Sequence, residues 1–348
     1  MRKMIFTPIG GEFWYDKNIV TKCSETVSGY FLNGGRSSLS CICKYLRQVG
    51  KNNIMVPSYL CPTILDVFDN ERMNYMFYDI NEDFSINISS IEKNIGQVES
   101  IMFINYFGLS LSDIEMMYLT SLKNNNKVLI EDKVHTISNQ YFGDFAFNSF
   151  RKFLPISGSL LQTDINIGTI INDLEMNESY IDQIKKARAL KTDCIVNNKG
   201  SEEGYLLAFK LAESLYYQKF AYGSPSEKAL LEKINFVKIK RIRNKNYKYL
   251  QNLLMGIEDI KIIFKDIGSK TPLGLPIYVT ENKREVILNR LKLKQIYLPV
   301  HWNLKSEKRI KNNTTKIMSD RIITLIIDQR YKLTDLDRLV CEIETILG

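Results

Sequence analysis

Short apolar runs alternate with segments of helical periodicity along the first half of the chain. Four runs bounded by polar residues predict buried strands over residues 53–58, 74–79, 101–106 and 128–130. Three segments before or between them repeat apolar residues at helical spacing, over residues 39–49, 63–73 and 112–125. Strands that alternate with helices in this way are typical of a mostly parallel sheet with helices on both faces. The pattern therefore predicts an α/β domain.

The pattern changes after Gly158, where the chain becomes helical. Periodicity predicts helices over residues 179–191 and 203–220, a break at Gly223-Ser224-Pro225, and one long helix over residues 226–254. The rest mixes short apolar runs with a helix over residues 283–294 and a last helix from about Thr334, which predicts a small α+β domain. We expect a large domain over residues 1–235, whose N-terminal segment can pack with the small domain, and a small domain over residues 236–348.

The composition is that of a soluble globular protein, with 45% hydrophobic and 25% charged residues among 348. No apolar run is long enough to cross a bilayer, so we expect no membrane partner. Pro8 and Gly10-Gly11 interrupt the N-terminal segment before a secretory signal can form, which predicts a cytoplasmic protein.

Cysteine and histidine are arranged without a metal-binding or disulfide pattern. Only two histidines occur, and the six cysteines show no CxxC spacing: Cys23, Cys41, Cys43, Cys61, Cys194 and Cys341. We therefore expect reduced, structural thiols and no metal.

The net charge of +8 comes from basic residues spread along the chain. The densest basic run, residues 238–248, is more typical of a solvated helix face than of a nucleic-acid groove, so no nucleic-acid partner is expected. An anionic substrate, such as one with a diphosphate, explains the excess equally well.

Candidate chemistry concentrates between Val128 and Leu160. Glu131 and Asp132 follow the apolar run at 128–130, and a second run over residues 145–150 leads to Lys152. Ligands of open α/β sheets collect at the carboxyl ends of strands. A lysine amine and an aspartate at neighbouring strand ends suit pyridoxal phosphate, whose aldehyde forms a Schiff base with lysine and whose pyridinium nitrogen pairs with a carboxylate. Taken alone, the pattern also suits a structural carboxylate and a solvated lysine.

A glycine-rich helix start is the second candidate feature. Asn33-Gly34-Gly35-Arg36-Ser37-Ser38 precedes the periodic segment at 39–49. Free backbone N–H groups, the positive end of the helix dipole and hydroxyl donors together suit a phosphate. An ordinary capped helix with a flexible entry explains the same residues.

The ordered series of these landmarks resembles one enzyme family. The chain resembles the DegT/DnrJ/EryC1/StrS sugar aminotransferases in the order of its short motifs, and the resemblance covers nearly the whole chain. The motifs, in order, are GGEFW, GRSSL, VPSYLCP, YDI, NYFGL, IEDKVH, SFRK, KRIRNKNYKYL, LPVHW and LIIDQRY. It implies the α/β fold of the fold-type-I pyridoxal-phosphate enzymes of the aspartate aminotransferase superfamily. That fold has a mostly parallel central sheet in a large domain and a smaller α+β C-terminal domain.

The resemblance also implies roles for individual residues. Lys152 would form the Schiff base and carry the proton during transfer, and Asp132 would pair with the pyridinium nitrogen. The remaining cofactor contacts would come from Gly35, Arg36, Ser37 and Ser149 at the phosphate, His135 and Asn105 near the ring or its phenolic oxygen, and Cys61 over the ring.

Several residues keep an alternative reading. Arg151 would meet an anionic substrate group or only a surface carboxylate, and His135 would contact the cofactor or be a satisfied core histidine. His301 and Trp302 resemble a segment at the substrate mouth, although packing explains them equally well. The chain also departs from the family: SFRK is shorter than the usual lysine segment, Cys61 stands where an aromatic residue is common, and an Asn-x-Arg segment is not recognisable near residues 221–227.

The resemblance implies a homodimeric aminotransferase with each site at the subunit interface. It would move an amino group, from glutamate, to a keto group of a nucleotide-linked sugar, for surface polysaccharide or secondary metabolite biosynthesis. One alternative acceptor is a small or phosphorylated ketone. Another alternative is a non-catalytic regulator or interaction protein that retained the fold.

Overall fold

Strands and helices alternate through most of the chain. The structure is a computed structural model that describes residues 7–21, 27–109, 111–216 and 219–348. The strands are β1 (Ile9–Gly10), β2 (Tyr30–Leu32), β3 (Asn53–Pro57), β4 (Asn74–Tyr78), β5 (Ser100–Ile104), β6 (Val128–Asp132), β7 (Phe145–Phe147), β8 (Ser159–Gln162), β9 (Ile260–Ile262), β10 (Leu275–Val279), β11 (Ile296–Tyr297) and β12 (Ile322–Leu325). The helices are α1 (Gly35–Gln48), α2 (Pro62–Asn70), α3 (Ile88–Glu92), α4 (Asp113–Asn124), α5 (Gly168–Asn172), α6 (Glu178–Val196), α7 (Glu202–Tyr216), α8 (Pro225–Leu231), α9 (Phe236–Leu254), α10 (Arg284–Leu293), α11 (Asn313–Arg321) and α12 (Leu333–Leu347).

A seven-stranded sheet in the order β2-β8-β7-β6-β5-β3-β4 forms the centre of the larger part. Strands β3 to β7 run parallel, whereas β8 and β2 join antiparallel at one edge. Every residue of β5 and β6 is buried, as expected for strands covered on both faces. Helix α1 contacts β7 and β8, and α4 contacts β6. The prediction of an α/β class with a mostly parallel sheet is confirmed.

The region around the predicted lysine differs from the sequence-based expectation in two places. The strand predicted over residues 145–150 ends at Phe147, and a 3-10 turn follows at Phe150–Lys152. The N–H group of Phe150 donates to the carbonyl of Gly158 at 3.0 Å, which turns the chain away from the strand direction. Strand β8 then begins at Ser159, ahead of the helices expected beyond Gly158, and the sequence pattern did not predict this strand. Four residues are too few to show a periodicity, and β8 forms because β2 and β7 pair with it.

The single helix predicted over residues 226–254 is also wrong, because α8 and α9 are separate helices. Asn235 caps α9 by accepting the N–H group of Lys238 at 2.9 Å, and its own N–H group donates to the carbonyl of Ile19 at 2.8 Å. Val20 forms a bridge with Ile234. The N-terminal segment thus takes the backbone hydrogen bonds that a continuous helix needs. The helix predicted over residues 203–220 is α7, and residues 217 and 218 lie outside the described part of the chain.

The C-terminal part is built on a smaller antiparallel sheet in the order β12-β10-β9. Helices α9 and α11 contact β10, and α12 contacts α9 and α10. Strand β1 pairs in parallel with β11, and the N–H group of Gly10 donates to the Tyr331 hydroxyl at 2.8 Å. The N-terminal segment therefore reaches the C-terminal part of the chain. The division of domains between residues 235 and 236 stays a prediction.

One continuous hydrophobic core includes residues of both sheets, and a second, smaller cluster lies between α6 and α7. Five cysteines are free thiols, whereas Cys23 lies outside the described residues. Across the described ranges, no helix has the length and apolar character needed to span a bilayer. The same ranges contain no cluster of side chains suited to a metal ion.

Candidate active site

The carboxyl ends of three parallel strands meet at one edge of the central sheet. Ile104 of β5 pairs with Asp132 of β6, and Asp132 pairs with Phe147 of β7. The N–H group of Asn105, directly after β5, donates to the carbonyl of Asp132 at 3.1 Å. The 3-10 turn after β7 brings Lys152 to this edge. The register therefore gathers the predicted strand-end residues in one place.

A cavity of about 110 Å³ opens at this edge, and we call it the small cavity. Six of the predicted cofactor residues line it: Gly35, Arg36, Cys61, Asp132, Ser149 and Lys152. Arg151 and Trp302, predicted only as substrate residues, also line it. Since one cavity receives a lysine, a carboxylate and the start of a helix, it has the groups expected for a ring with a phosphate arm.

Asp132, which lines the small cavity, has one carboxylate oxygen without a partner among the described residues. Its Oδ1 accepts the N–H group of Val134 at 2.9 Å. Its Oδ2 is buried and has no hydrogen-bond partner among the described residues. Burial raises the pKa of Asp132 from 3.8 to about 7, and the hydrogen bond from Val134 and the positive charge of Lys152 oppose the rise. A bound cationic N–H donor would satisfy this oxygen and restore the charged carboxylate.

The amine of Lys152 has a lowered pKa and therefore loses its proton more easily than an exposed lysine. Burial is the main cause that lowers its pKa from 10.5 to about 8, and the charge of Arg151 adds to the effect. The Nζ atom lies 3.1 Å from Nε2 of His301, whose Nδ1 lies 3.0 Å from the Thr324 hydroxyl. Burial lowers the pKa of His301 well below 6.5, and the charge of Lys152 contributes. A neutral imidazole therefore stands next to the amine.

Helix α1 points its first residues into the small cavity. Gly34 precedes the helix with a φ of 106°, a left-handed conformation that favours glycine. Gly34, Gly35 and Arg36 line the cavity, as the predicted phosphate site requires. Ser37 is not among the lining residues, and its hydroxyl accepts the N–H group of Ala221 at 3.3 Å.

Two further predicted residues lie near the small cavity without lining it. His135 is fully buried, its Nδ1 accepts the N–H group of Phe107 at 3.2 Å, and its ring stacks on Trp302 at 5.1 Å. Its Nε2 is buried without a hydrogen-bond partner among the described residues. Asn105 likewise has a buried Oδ1 without a partner in that part of the chain. Direct contact of either residue with a cofactor stays a prediction.

A second cavity of about 460 Å³, which we call the large cavity, shares Arg151 and Lys152 with the small one. His301 lines the large cavity, whereas Trp302 lines the small one. Its charged lining residues are mostly cationic and come from distant parts of the chain: Glu12, Arg151, Lys152, Lys191, Glu202, Arg243, Asp328 and Arg330. The lysine amine therefore lies between a narrow site and a wide one.

Sequence reasoning missed most of the residues that α6, α7 and α9 supply. Tyr180 and Tyr216 line the small cavity, and Lys191 and Arg243 line the large one. These residues belong to helices with ordinary amphipathic patterns, so the sequence carried no signal for them. Glu12 lies within the GGEFW landmark, which was noted without a role for its carboxylate.

The residues present suit pyridoxal phosphate. Asp132 offers a buried oxygen that lacks a donor, Lys152 offers an amine with a lowered pKa, and α1 offers its N-terminal end with Arg36. Trp302 gives the small cavity the aromatic surface that Cys61 does not. The structure therefore contains a counterpart for each end of the cofactor.

No protein-family model matches the chain, and no curated protein matches its sequence. Solved structures do match. A putative sugar aminotransferase from Streptococcus pneumoniae in its PLP-form is similar with a TM-score of 0.66 and 16% identity, over 93% of this chain and 88% of that one. A DegT DnrJ EryC1 StrS aminotransferase from Brucella abortus gives 0.62 and 16%, over 93% and 87%. PseC from Helicobacter pylori, an aminotransferase involved in the biosynthesis of pseudoaminic acid, gives 0.65 and 14%, over 91% and 85%.

These structural matches span most of both chains, whereas the sequence identities are low. The match extends over both the central sheet and the C-terminal part. The resemblance stated from the sequence is therefore confirmed at the level of the fold: this chain has the architecture of the DegT/DnrJ/EryC1/StrS sugar aminotransferases.

Proposed function

We propose that this protein is a pyridoxal-phosphate-dependent aminotransferase. The observation that carries the proposal is the small cavity, which is lined by both Asp132, whose Oδ2 has no partner among the described residues, and Lys152. A lone buried carboxylate and a buried lysine are costly unless a ligand uses them. The fold shared with sugar aminotransferases supports the same assignment.

Asp132 and Lys152 would each have a distinct task in the reaction. Bound pyridoxal phosphate would supply an electron sink for breaking a C–H bond next to an amine. Asp132 would keep the ring nitrogen protonated by pairing its charge with that of the N–H group. Lys152, with its lowered pKa, would take a proton from one carbon and return it to another, because its amine is partly neutral near pH 7. Its position on the wall of both cavities makes that transfer local.

The amino-group acceptor that we propose is the keto group of a nucleotide-linked sugar, with glutamate as the donor. The large cavity is wide enough for an extended substrate, and its excess of cationic side chains suits a diphosphate. The similarity to a putative sugar aminotransferase and to the aminotransferase PseC supports a sugar acceptor. We further propose a homodimer, as the family resemblance implies. We also propose that it acts in the cytoplasm, where thiols such as those of the described cysteines stay reduced.

The absorption spectrum of the purified protein with added pyridoxal phosphate tests the cofactor assignment. We expect a band near the edge of the visible range that borohydride removes. Lys152→Ala should abolish the band and lower transamination by about 10²- to 10⁴-fold, because the proton carrier is gone. Lys248→Ala, which changes an exposed lysine of α9, is the matched control and should retain both.

A colourless wild-type protein contradicts the enzyme assignment and favours the non-catalytic alternative, which predicts salt-dependent binding of DNA to the exposed lysines of α9. A second experiment addresses the acceptor. The pyridoxamine form is incubated with nucleotide-linked keto sugars and with small or phosphorylated ketones, and the return of the aldehyde form is followed. Recovery by a small ketone alone contradicts the nucleotide-sugar proposal while leaving the aminotransferase assignment intact.

A further inference from the structure

Helices α6 and α7 form one wall of the small cavity from within the same chain. Tyr180 of α6 and Tyr216 of α7 line the cavity next to Gly34 and Arg36. The two tyrosine rings belong to the hydrophobic cluster between the helices and lie 5.2 Å apart. The Arg36 guanidinium lies 4.1 Å from the centre of the Tyr216 ring. The end of α7 is therefore fixed against the start of α1.

One carboxylate of α7 joins the two arginines of the small cavity. Oε1 of Glu213 lies 3.3 Å from a guanidinium nitrogen of Arg36, and Oε2 lies 3.1 Å from one of Arg151. Each oxygen of the carboxylate thus has a different guanidinium as its neighbour. The two arginines come from separate segments, Arg36 from the first turn of α1 and Arg151 from the 3-10 turn at Phe150–Lys152. Glu213 sets the spacing between them.

The position of Glu213 places it beside the small cavity rather than in it. Arg36 and Arg151 line the small cavity, whereas Glu213 lines a neighbouring cavity of about 230 Å³ together with Arg151. Glu213 therefore contacts both guanidiniums from outside the small cavity. With two positive charges and one negative charge, the group keeps a net positive charge toward the small cavity.

The carboxylate of Glu213 also stabilises the charged form of Arg151. Burial opposes its charged form, but the carboxylates of Glu12 and Glu213 outweigh that effect and hold its pKa above the ordinary value. A guanidinium fixed in advance loses less rotational freedom when it binds an anion. Two fixed guanidiniums converging on one end of a cavity suit a dianionic group such as a phosphate monoester.

We propose that Glu213 is a positioning residue that holds Arg36 and Arg151 as a paired anion clamp for the phosphate group of the cofactor. All three residues of the clamp belong to one chain, and α7 supplies the carboxylate. Arg151 thereby gains a role at the cofactor phosphate in place of the substrate role suggested by the sequence. This inference rests on the proposed function, because it needs pyridoxal phosphate in the small cavity.

The experiment compares a ligand that has the phosphate with one that lacks it. Dissociation constants of pyridoxal phosphate and of pyridoxal are measured by absorption titration of the full-length apoprotein. The variants are Glu213→Gln, which removes the charge, and Glu203→Gln, a matched control that removes an exposed charge from the same helix. Circular dichroism and thermal unfolding show whether each variant keeps the fold.

For Glu213→Gln we expect pyridoxal phosphate to bind about fivefold more weakly while pyridoxal binds as before, because only the phosphate meets the clamp. Glu203→Gln should match the wild type for both ligands. If the binding of both ligands weakens equally, or if neither binding weakens, the clamp is overturned. The proposed function then still stands, provided that Lys152 forms its borohydride-sensitive band. A wild-type protein without that band overturns the proposed function and the clamp together. If Glu213→Gln does not fold, the same two dissociation constants are measured for Arg151→Lys. This variant keeps the charge, and it must also weaken the binding of pyridoxal phosphate but not that of pyridoxal.

Discussion

The buried carboxyl of Asp132 leads to a stability prediction that needs no activity assay. Its pKa is raised from 3.8 to about 7, chiefly because burial penalises the charged carboxylate. The folded protein therefore holds this proton more tightly than the unfolded chain does. As a result, the free energy of unfolding falls as the pH rises from about 4 to about 7, and the contribution is constant above that range. Asp132→Asn keeps the shape of the side chain and removes the titration.

The size of the effect follows from the pKa shift. A shift of about three units corresponds to about 4 kcal/mol once the carboxyl is fully ionised in both states. Between about pH 5 and about pH 8, the wild type should lose about 3 kcal/mol relative to Asp132→Asn. In Asp132→Asn, an amide N–H group can take the place of Oδ2, which has no partner in the described chain. This buried donor then also lacks a partner, which lowers the free energy of unfolding by about 1 to 3 kcal/mol. This cost is the same at both pH values and cancels in the comparison.

Urea unfolding of the apoprotein at the two pH values measures this difference. Asp173→Asn is the control because it removes an exposed carboxyl after α5, and it should follow the wild type at both values. If the stability gap between wild type and Asp132→Asn stays constant within about 1 kcal/mol from the lower to the higher pH, the reasoning about burial is refuted.

Three further predictions concern single side chains. Reaction of Lys152 with an amine reagent in the apoprotein should rise with a midpoint at about pH 8, since its pKa is lowered to about 8; a midpoint typical of exposed lysines contradicts this. Glu227→Ala should destabilise the fold by about 3 to 5 kcal/mol in urea, because buried Arg188 loses its ion-pair partner, whereas Glu175→Ala, in an exposed pair, should leave the midpoint unchanged. Gly34→Ala should lower the unfolding temperature and weaken cofactor binding, because its φ of 106° strains an alanine and the new methyl group meets a tyrosine of α7; wild-type values for both contradict it.

The sequence predicted the part of the site that depends on strand ends. Apolar runs with polar bounds located β3 to β6, and parallel strands present their carboxyl ends at one edge, so Asp132 and Lys152 were expected together. The small cavity contains both. The sequence pattern extends β7 too far, to residue 150, because Phe150 is as apolar as the strand before it. In the structure, the N–H group of Phe150 donates to the carbonyl of Gly158, and the residue lies in a turn.

The residues contributed by helices could not be predicted in the same way. Tyr216 and Glu213 reach the site because α7 packs on α6 and against the start of α1, and nothing in the local pattern of α7 records those neighbours. Ser37 lies in the predicted phosphate segment, its hydroxyl accepts the N–H group of Ala221, and its contact with a phosphate stays a prediction. Local sequence encodes secondary structure, whereas these placements depend on contacts between distant segments.

The pairing of β1 with β11 affects when the site can form during synthesis. Glu12 and Phe13 line the large cavity, and the carbonyl of Glu12 accepts a hydrogen bond from Arg330 at 3.1 Å. These two partners of the early segment, β11 and Arg330, are thus made roughly 290 to 320 residues later. When the residues of the whole central sheet have been synthesised, the residues that fix one wall of the large cavity have not. A nascent chain arrested before residue 296 should therefore leave that wall unbuilt.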